Sequence, residues 1–273
     1  MMTNKLTVPD SWLHEPIPVT LVGAGGTGSE VLDGLVRMHH GLVGLGHPGL
    51  NVRVYDGDTV SASNIGRQRF GPRDVGQNKA VTLVSRYNLF FGLDWEGVPM
   101  MADPETLRGD RCGPWVMPLL VTCVDRASFR VALADHWTGR GSPMGPPPLL
   151  WLDMGNGQHR GQVVLGHLAR DDHRRPEFKL PHIVDLYPEM RDQTDDDAPS
   201  CSMAEALASQ DLWVNKYASM GLSLIWSLIR EGEIDHHGMF FDSRQGSMQP
   251  LHIDPATWSM FGYTAPEATG VSD

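Results

Sequence analysis

Val19-Thr20-Leu21-Val22-Gly23-Ala24-Gly25-Gly26-Thr27-Gly28 runs a short apolar strand directly into a glycine loop, and this stretch decides the fold. A helical pattern follows from Ser29, with Val31, Leu32, Leu35, Val36 and Met38 on one face. Glycines between a strand and a helix allow a tight turn and let backbone N–H groups approach a phosphate, and the helix N-terminus adds a favourable dipole. Gly23, Gly25, Gly26 and Gly28 are therefore candidate nucleotide-binding positions. The alternative is a merely structural turn, and the flanking strand and helix argue against it.

Working outward, Asn51 to Tyr55 reads as a second strand that ends at Asp56-Gly57-Asp58, after a glycine-rich loop over residues 41–50. Val75 to Leu89 is helical, Leu119 to Val124 is a strand ending at Asp125, and Ala127 to Trp137 is a helix. Residues 139–148 hold four prolines and form a linker before a strand at Leu149 to Leu152. Strands that alternate with helices and end in glycine or acid predict a parallel doubly wound sheet, its ligand beyond the C-terminal strand ends. The second half differs. Gly161 to Leu168 is strand-like, Asp171 to Ser200 is polar and expected to be a mobile loop, and Ser202 to Arg230 is helical with a break near Ser219-Met220-Gly221. Met239 to Ile253 reads as a hairpin turning near Gln245-Gly246. The expected fold is α/β, doubly wound and Rossmann-like, with a mostly parallel sheet and a C-terminal antiparallel hairpin.

Composition narrows the function. The 273 residues carry a formal net charge of -11 and show no basic stripe, which disfavours a nucleic-acid partner. No apolar run is long enough to span a bilayer, and the polar N-terminus has no secretory apolar segment, so a cytoplasmic protein is expected. Cys112, Cys123 and Cys201 are too few for a four-cysteine zinc site and include no Cys-x-x-Cys pair. The histidine pairs at 39–40 and 236–237 read as solvated or capping residues, not as metal ligands.

Asp56, at the end of the second strand, is placed to accept hydrogen bonds from ribose hydroxyls, or to form the turn before Gly57. On the glycine loop and Asp56 alone, an NAD-dependent oxidoreductase fits as well as any ATP-binding protein. The residues after Asp56 separate the two. Asp56-x-Asp58-x-Val60-x-x-Ser63-Asn64-Ile65-Gly66-Arg67-Gln68, then Gly76-x-x-Lys79-Ala80, then Cys123-Val124-Asp125, resemble in order the motifs of the ubiquitin-activating, MoeB and ThiF superfamily. The match is good over residues 17–160. Ala198-Pro199-Ser200-Cys201-Ser202 and Gln210-Asp211-Leu212-Trp213-Val214-Asn215 resemble the ThiF-type member of PRTRC gene clusters.

The resemblance implies one adenylation domain over residues 1–273, with a nucleotide-binding core at 17–160, a crossover loop at 171–200, and a helix and hairpin completing it at 201–263. It implies ATP and Mg²⁺ as cofactors and no zinc, since the family's paired zinc motifs are missing. It implies a small ubiquitin-like or sulfur-carrier-like protein as substrate, a conjugating-enzyme-like acceptor, and leaves a homodimer open. Arg67 and Lys79 would face the phosphates, where fixed cations stabilise developing negative charge. Asp56, Asp58, Asn64 and Gln68 would line the nucleotide, Asn64 on a shared helical face with Arg67, and Asp125 would hold the metal. Cys201, expected at a helix start, is the candidate acyl-accepting thiol, although Asp195, Asp196 and Asp197 disfavour its thiolate. The family's N-terminal arginine finger is absent, because no arginine precedes Arg37, which leaves Arg69 or another protein to supply it. A non-catalytic ATP-binding scaffold is the competing reading. Adenylation of a tRNA base is a further one, opposed by the net charge.

Overall fold

A computed structural model describes residues 4–109, 116–138, 148–169, 179–195 and 210–265. Within them, β2 (Ile17–Val22), β3 (Leu50–Tyr55), β4 (Glu96–Val98), β5 (Leu119–Thr122), β6 (Leu149–Asn156), β7 (Arg160–Leu168), β9 (His236–Asp242) and β10 (Ser247–His252) form one sheet. Its eight strands have the order β10-β9-β7-β6-β5-β2-β3-β4. The five strands from β4 to β6 are mutually parallel, and β7, β9 and β10 continue the sheet antiparallel. A two-stranded ribbon pairs β1 (Leu6–Thr7) with β8 (Glu233–Ile234).

The chain steps from β2 through helix α1 (Gly26–Gly44) to β3, and through α2 (Lys79–Phe91) to β4. It then returns to the other side of β2 at β5, by way of α3 (Pro104–Gly109), and proceeds through α4 (Ala127–Thr138) to β6. Right-handed crossovers put helices from opposite directions of travel on opposite faces. The strand order therefore reverses between β2 and β5, where such sheets bind ligands. Apolar alternation is lost in β2 because both faces are covered: Ile17, Val19 and Leu21 are buried on one, and Pro18 and Val22 on the other. Val31, Leu32, Leu35 and Val36 of α1 are buried, as are Leu133, Ala134 and Trp137 of α4.

Three boundaries differ from expectation, and one break falls where it was read. Residues 41–44 continue α1, because Leu42 is buried and Gly41 serves packing: a Cβ there would come within 3.1 Å of the Trp226 ring. Helix α2 starts at Lys79 instead of Val75, because Gly76 has φ of +86° and the Asn78 side chain caps by accepting from Val81 N at 3.0 Å. The expected long helix is two, α6 (Val214–Ser219) and α7 (Leu222–Glu231), broken at Met220-Gly221 as predicted, and its first part lies outside the described residues. The expected mobile loop is packed over 179–195. There a short helix, α5 (Ile183–Leu186), and a 3-10 turn (Pro188–Asp192) bury Leu180, Ile183, Val184, Leu186 and Met190 beside α4 and β7. Apolar residues interleaved with charges disguised a docked segment as a solvated one. Helix α8 (Pro255–Ser259) completes the described elements. Among the described residues no helix is long and apolar enough to cross a membrane.

Candidate nucleotide and acyl-activation site

The four loop glycines have different physical reasons. Gly23 has φ of +94°, and a Cβ on it would lie 2.6 Å from the Cys123 carbonyl oxygen. Its N–H donates to Tyr55 O at 2.8 Å, closing the turn onto β3. A Cβ on Gly28 would lie 1.8 Å from the Gly23 carbonyl oxygen, so this position packs helix against loop. A Cβ on Gly26 would come within 2.5 Å of the Asn215 amide nitrogen. Only at Gly25 is the space open, with Gln68 Nε2 as the nearest atom at 4.0 Å. The N-cap of α1 is Gly25, which brings no side chain, and among the described residues no side chain accepts from the N–H groups of the first turn.

Asp56 is buried and holds the loop from the β3 side. Its Oδ2 accepts from Ala24 N at 2.6 Å and its Oδ1 from Asp58 N at 2.9 Å. Burial raises its pKa, opposed by these N–H donors and by the Lys79 charge. The turn-forming and loop-supporting roles of Asp56 are thus combined in one carboxylate. Asp58 is half-exposed and pairs with Lys79 Nζ at 2.9 Å, while the Lys79 side chain itself is largely buried. An exposed carboxylate is a weak counter-ion, so a phosphate can compete for the ammonium. Asn78 ties the two ends together, donating from Nδ2 to Asp56 O at 2.7 Å and Asp58 O at 3.1 Å. Asn78 was not among the residues singled out by motif; its signal in the sequence is an N-cap residue just before an apolar helical pattern.

Ser63 to Arg69 form the second wall. The Asn64 Oδ1 accepts from Ser61 N at 2.9 Å, within a 3-10 turn that spans only Ala62–Asn64. The shared helical face expected for Asn64 and Arg67 does not exist, because the turn ends before Arg67. Arg67 is half-buried, and its Nε donates to Ser63 O at 3.0 Å. Among the described residues no carboxylate pairs with its guanidinium, and partial burial alone lowers its pKa. Gln68 is buried beside Gly25, and its Oε1 has no hydrogen-bond partner among the described residues. Arg69 is engaged within its own chain. It forms a bidentate pair with Glu30 at 3.1 and 3.0 Å and lies 3.4 Å from Asp33. The suggestion that Arg69 stands in for an arginine finger is not supported by this placement.

Asp125 lies exposed in the segment after β5, the strand beside β2, and Cys123 N at the start of that segment donates to Val22 O at 2.9 Å. The Cys123 thiol is pushed well above its ordinary pKa by burial, as a structural cysteine should be. Cys112, Cys201, Asp196 and Asp197 lie outside the described residues. Asp195 is described and does something the sequence did not suggest. It caps α4, its Oδ1 accepting from Ala127 N at 2.7 Å and Ser128 N at 3.3 Å, while its Oδ2 bonds the Ser128 hydroxyl. The end of the docked segment is thereby tied next to Asp125. Beneath it, Arg130 Nε and Thr122 Oγ1 both donate to Asp153 Oδ1, at 2.8 and 2.6 Å, in full burial.

A polar cluster closes the start of α1. Thr27 Oγ1 donates to Asn215 Oδ1 at 2.9 Å, and Asn156 Nδ2 donates to the same oxygen at 3.1 Å. Asn156 ends β6 and Asn215 opens α6, so three elements meet here. Beyond Asn156, a cleft of about 320 Å³ is lined by Gln158, His159, Asp211, Leu212 and Arg244.

The model of the ThiF family matches residues 15–209. No curated protein matches the chain at the level of sequence. Among solved structures, E. coli MccB with ATP superposes with a TM-score of 0.54 at 12% identity, covering 96% of this chain and 68% of that one. MccB in complex with N-formylated MccA, described as a microcin C7 biosynthetic enzyme, gives 0.53 at 12% identity, covering 93% and 67%. PaaA gives 0.53 at 16% identity, covering 87% and 64%. The chain thus spans about two thirds of the length of these structures, and at these identities the likeness speaks for the fold.

Proposed function

The chain belongs to the ThiF family, and from that premise we propose that it activates the C-terminal carboxylate of a small ubiquitin-like or sulfur-carrier-like protein by adenylation with ATP. The observation that carries the proposal is Arg67. A half-buried guanidinium that has no carboxylate partner among the described residues, beside a glycine loop open at Gly25 and a Gln68 amide oxygen also unpartnered among them, suits an external anion. MccB, whose fold this chain shares, has been solved with ATP and with N-formylated MccA, and the reading extends ATP binding to this chain by analogy of fold.

In this reading residues 1–273 act as one adenylation domain. The nucleotide phosphates sit at the start of α1, between the glycine loop and Arg67. The substrate carboxylate attacks the α-phosphorus, the bond to the bridging oxygen breaks, and pyrophosphate leaves with the electron pair. Arg67 and Lys79 stabilise the charge that builds on the phosphates, Lys79 exchanging Asp58 for phosphate oxygen. Asp56 supports the loop and the ribose side, and Asn64 and Gln68 complete the wall. Mg²⁺ fits the site as a phosphate-borne ion: it commonly takes one or two carboxylates plus phosphate oxygens, and Asp125 offers one exposed carboxylate after β5. When bound, the ion neutralises the leaving pyrophosphate. The Cys201 thiol, losing its proton, would attack the acyl-adenylate carbonyl, the acyl–phosphate bond would break with release of AMP, and the resulting thioester would pass the acyl group to a conjugating-enzyme-like protein. Closeness to the PRTRC-type members, a cytoplasmic location and a dimeric state belong to the same proposal.

A second reading is a non-catalytic ATP-binding scaffold for a ubiquitin-like system. The capture of Arg69 by Glu30 favours it, since no arginine of the described crevice is then spare to act as a finger beyond Arg67. Pyrophosphate exchange into ATP, measured with small proteins ending in glycine, separates the two. Exchange in the wild type, reduced on the order of a hundredfold by Arg67→Ala, supports adenylation. ATP binding without exchange for any such substrate would leave the scaffold.

A further inference from the structure

We propose that Glu30 is a positioning residue for Arg67: through Arg69 it fixes the segment that carries Arg67 and Gln68 against α1, and through Lys216 it ties that segment to α6. The inference rests on the adenylation reading above and gives a task to Glu30 and Arg69, which the family motifs quoted above leave out.

Glu30 lies one turn into α1, just past the loop glycines. Its carboxylate takes the Arg69 fork at 3.1 and 3.0 Å and Lys216 Nζ at 2.8 Å. Burial works to raise its pKa, and the bonds from the two cations outweigh burial, so the carboxyl is held below its ordinary value. A bidentate arginine pair fixes direction as well as distance. Arg69 is held by its backbone too. Its N–H donates to Ser29 Oγ at 3.4 Å, and its carbonyl accepts from Arg86 Nη1 at 2.7 Å. Arg86 belongs to α2 and is itself paired with Asp74 at 2.6 Å. Residue 69 is thus pinned between α1 and α2. The two residues before it face the site, Gln68 beside Gly25 and Arg67 with its Nε on Ser63 O at 3.0 Å. A cation that must meet a phosphate without reorganising needs its backbone fixed from behind. The Arg69 and Glu30 side chains are 35% and 21% exposed, and pairs so placed add little to stability. What this pair can supply is position.

A double-mutant cycle on Mg-ATP binding tests this. Glu30→Gln keeps the size of the side chain and removes the charge that holds the fork. It also leaves more positive charge near the phosphates, but that contribution is common to proteins with and without Arg67, so the cycle cancels it. The factor by which Glu30→Gln multiplies the Kd for Mg-ATP should be at least about threefold larger with Arg67 in place than in the Arg67→Ala background. A smaller difference, with melting curves showing that all four proteins are folded, would overturn the proposal and leave the Glu30–Arg69 pair a surface strut. Should Glu30→Gln not fold, Arg69→Lys, which keeps the charge and loses the fork, carries the same cycle with the same threshold. Failure of the wild type to bind Mg-ATP would instead refute the adenylation reading itself, so the two failures are distinguishable.

Discussion

At the scale of single residues, a glycine-rich motif conceals four unlike demands. Gly28 lies against the carbonyl of Gly23, and Gly23 needs both its positive φ and its closeness to Cys123, so these two belong to the fold. Gly25 is different: its missing side chain faces open space, while its backbone, at φ -76° and ψ -144°, lies outside the helical and extended regions. The expected outcome is a separation of effects. Gly25→Ala should cost only the backbone strain of about 1–3 kcal/mol, while the added methyl intrudes where a phosphate approaches and Mg-ATP affinity falls at least about tenfold. Gly28→Ala should instead destabilise by several kcal/mol, of the order seen for overpacking a tight site. Thermal unfolding and ATP titration on both variants decide the matter; equal loss of ATP binding and stability at Gly25 would show that its role is also packing. The motif was fully legible in the sequence, but this division of labour was not. It depends on which backbone and side-chain atoms arrive from residues 68, 123 and 215, far away in the chain.

Elements explain what else was hidden. The parallel strands, the hairpin and the break at Met220-Gly221 could be read because period and punctuation are local properties. The wall from Asp56 to Lys79 was legible through spacing, although Asn64 proved to cap its own turn. What could not be read were side chains that cap or buttress an element from elsewhere. Asp195 looked like part of a solvated acidic run, yet it caps α4 from 68 residues away in sequence. Nothing local in the sequence marks Arg130 as buried, yet it is paired with Asp153 in the interior. Helix α4 therefore rests on two polar anchors, one at its first turn and one in its body, and both bear on the segment carrying Asp125. Asp195→Ala should cost about 1 kcal/mol, as loss of an N-cap does. Arg130→Ala should cost roughly 3–5 kcal/mol, because it strands a buried carboxylate. If Asp125 serves the metal, Asp195→Ala should also raise the Mg²⁺ concentration needed for half-maximal ATP binding, by about threefold or more. Denaturant unfolding checks the first two values. A Mg²⁺ requirement identical to wild type would detach the cap from the site.

At the scale of the whole molecule, the antiparallel half of the sheet makes stability depend on pH. His237 and His182 are both buried, and both pack against β7. His237 sits with Nδ1 2.7 Å from Leu165 O, so that nitrogen carries the proton, and its Nε2 accepts from Trp258 Nε1 at 2.8 Å. His182 lies against Gly166 and beside the Trp151 ring, and its Nδ1 accepts from Asp185 N at 3.2 Å. Protonating His237 would set an N–H against the Trp258 donor already in place. Burial, the largest cause, pushes each pKa down to about 4 from the ordinary 6.5. The sign of the pH effect comes from these depressed values. Between about pH 6.5 and pH 4 the unfolded chain binds more protons than the folded one, so stability falls as the pH falls. Above that window both histidines are neutral in either state and contribute no slope. The loss should reach on the order of 3 kcal/mol per histidine at the bottom of the window. Chemical denaturation at about pH 7.5 and about pH 5 should therefore give a lower midpoint in acid at similar denaturant sensitivity. His237→Gln should be less stable than wild type at the higher pH and should lose less on acidification. A wild-type midpoint that does not move between the two conditions would mean that water reaches these rings and that the antiparallel half is not the sealed layer its packing describes.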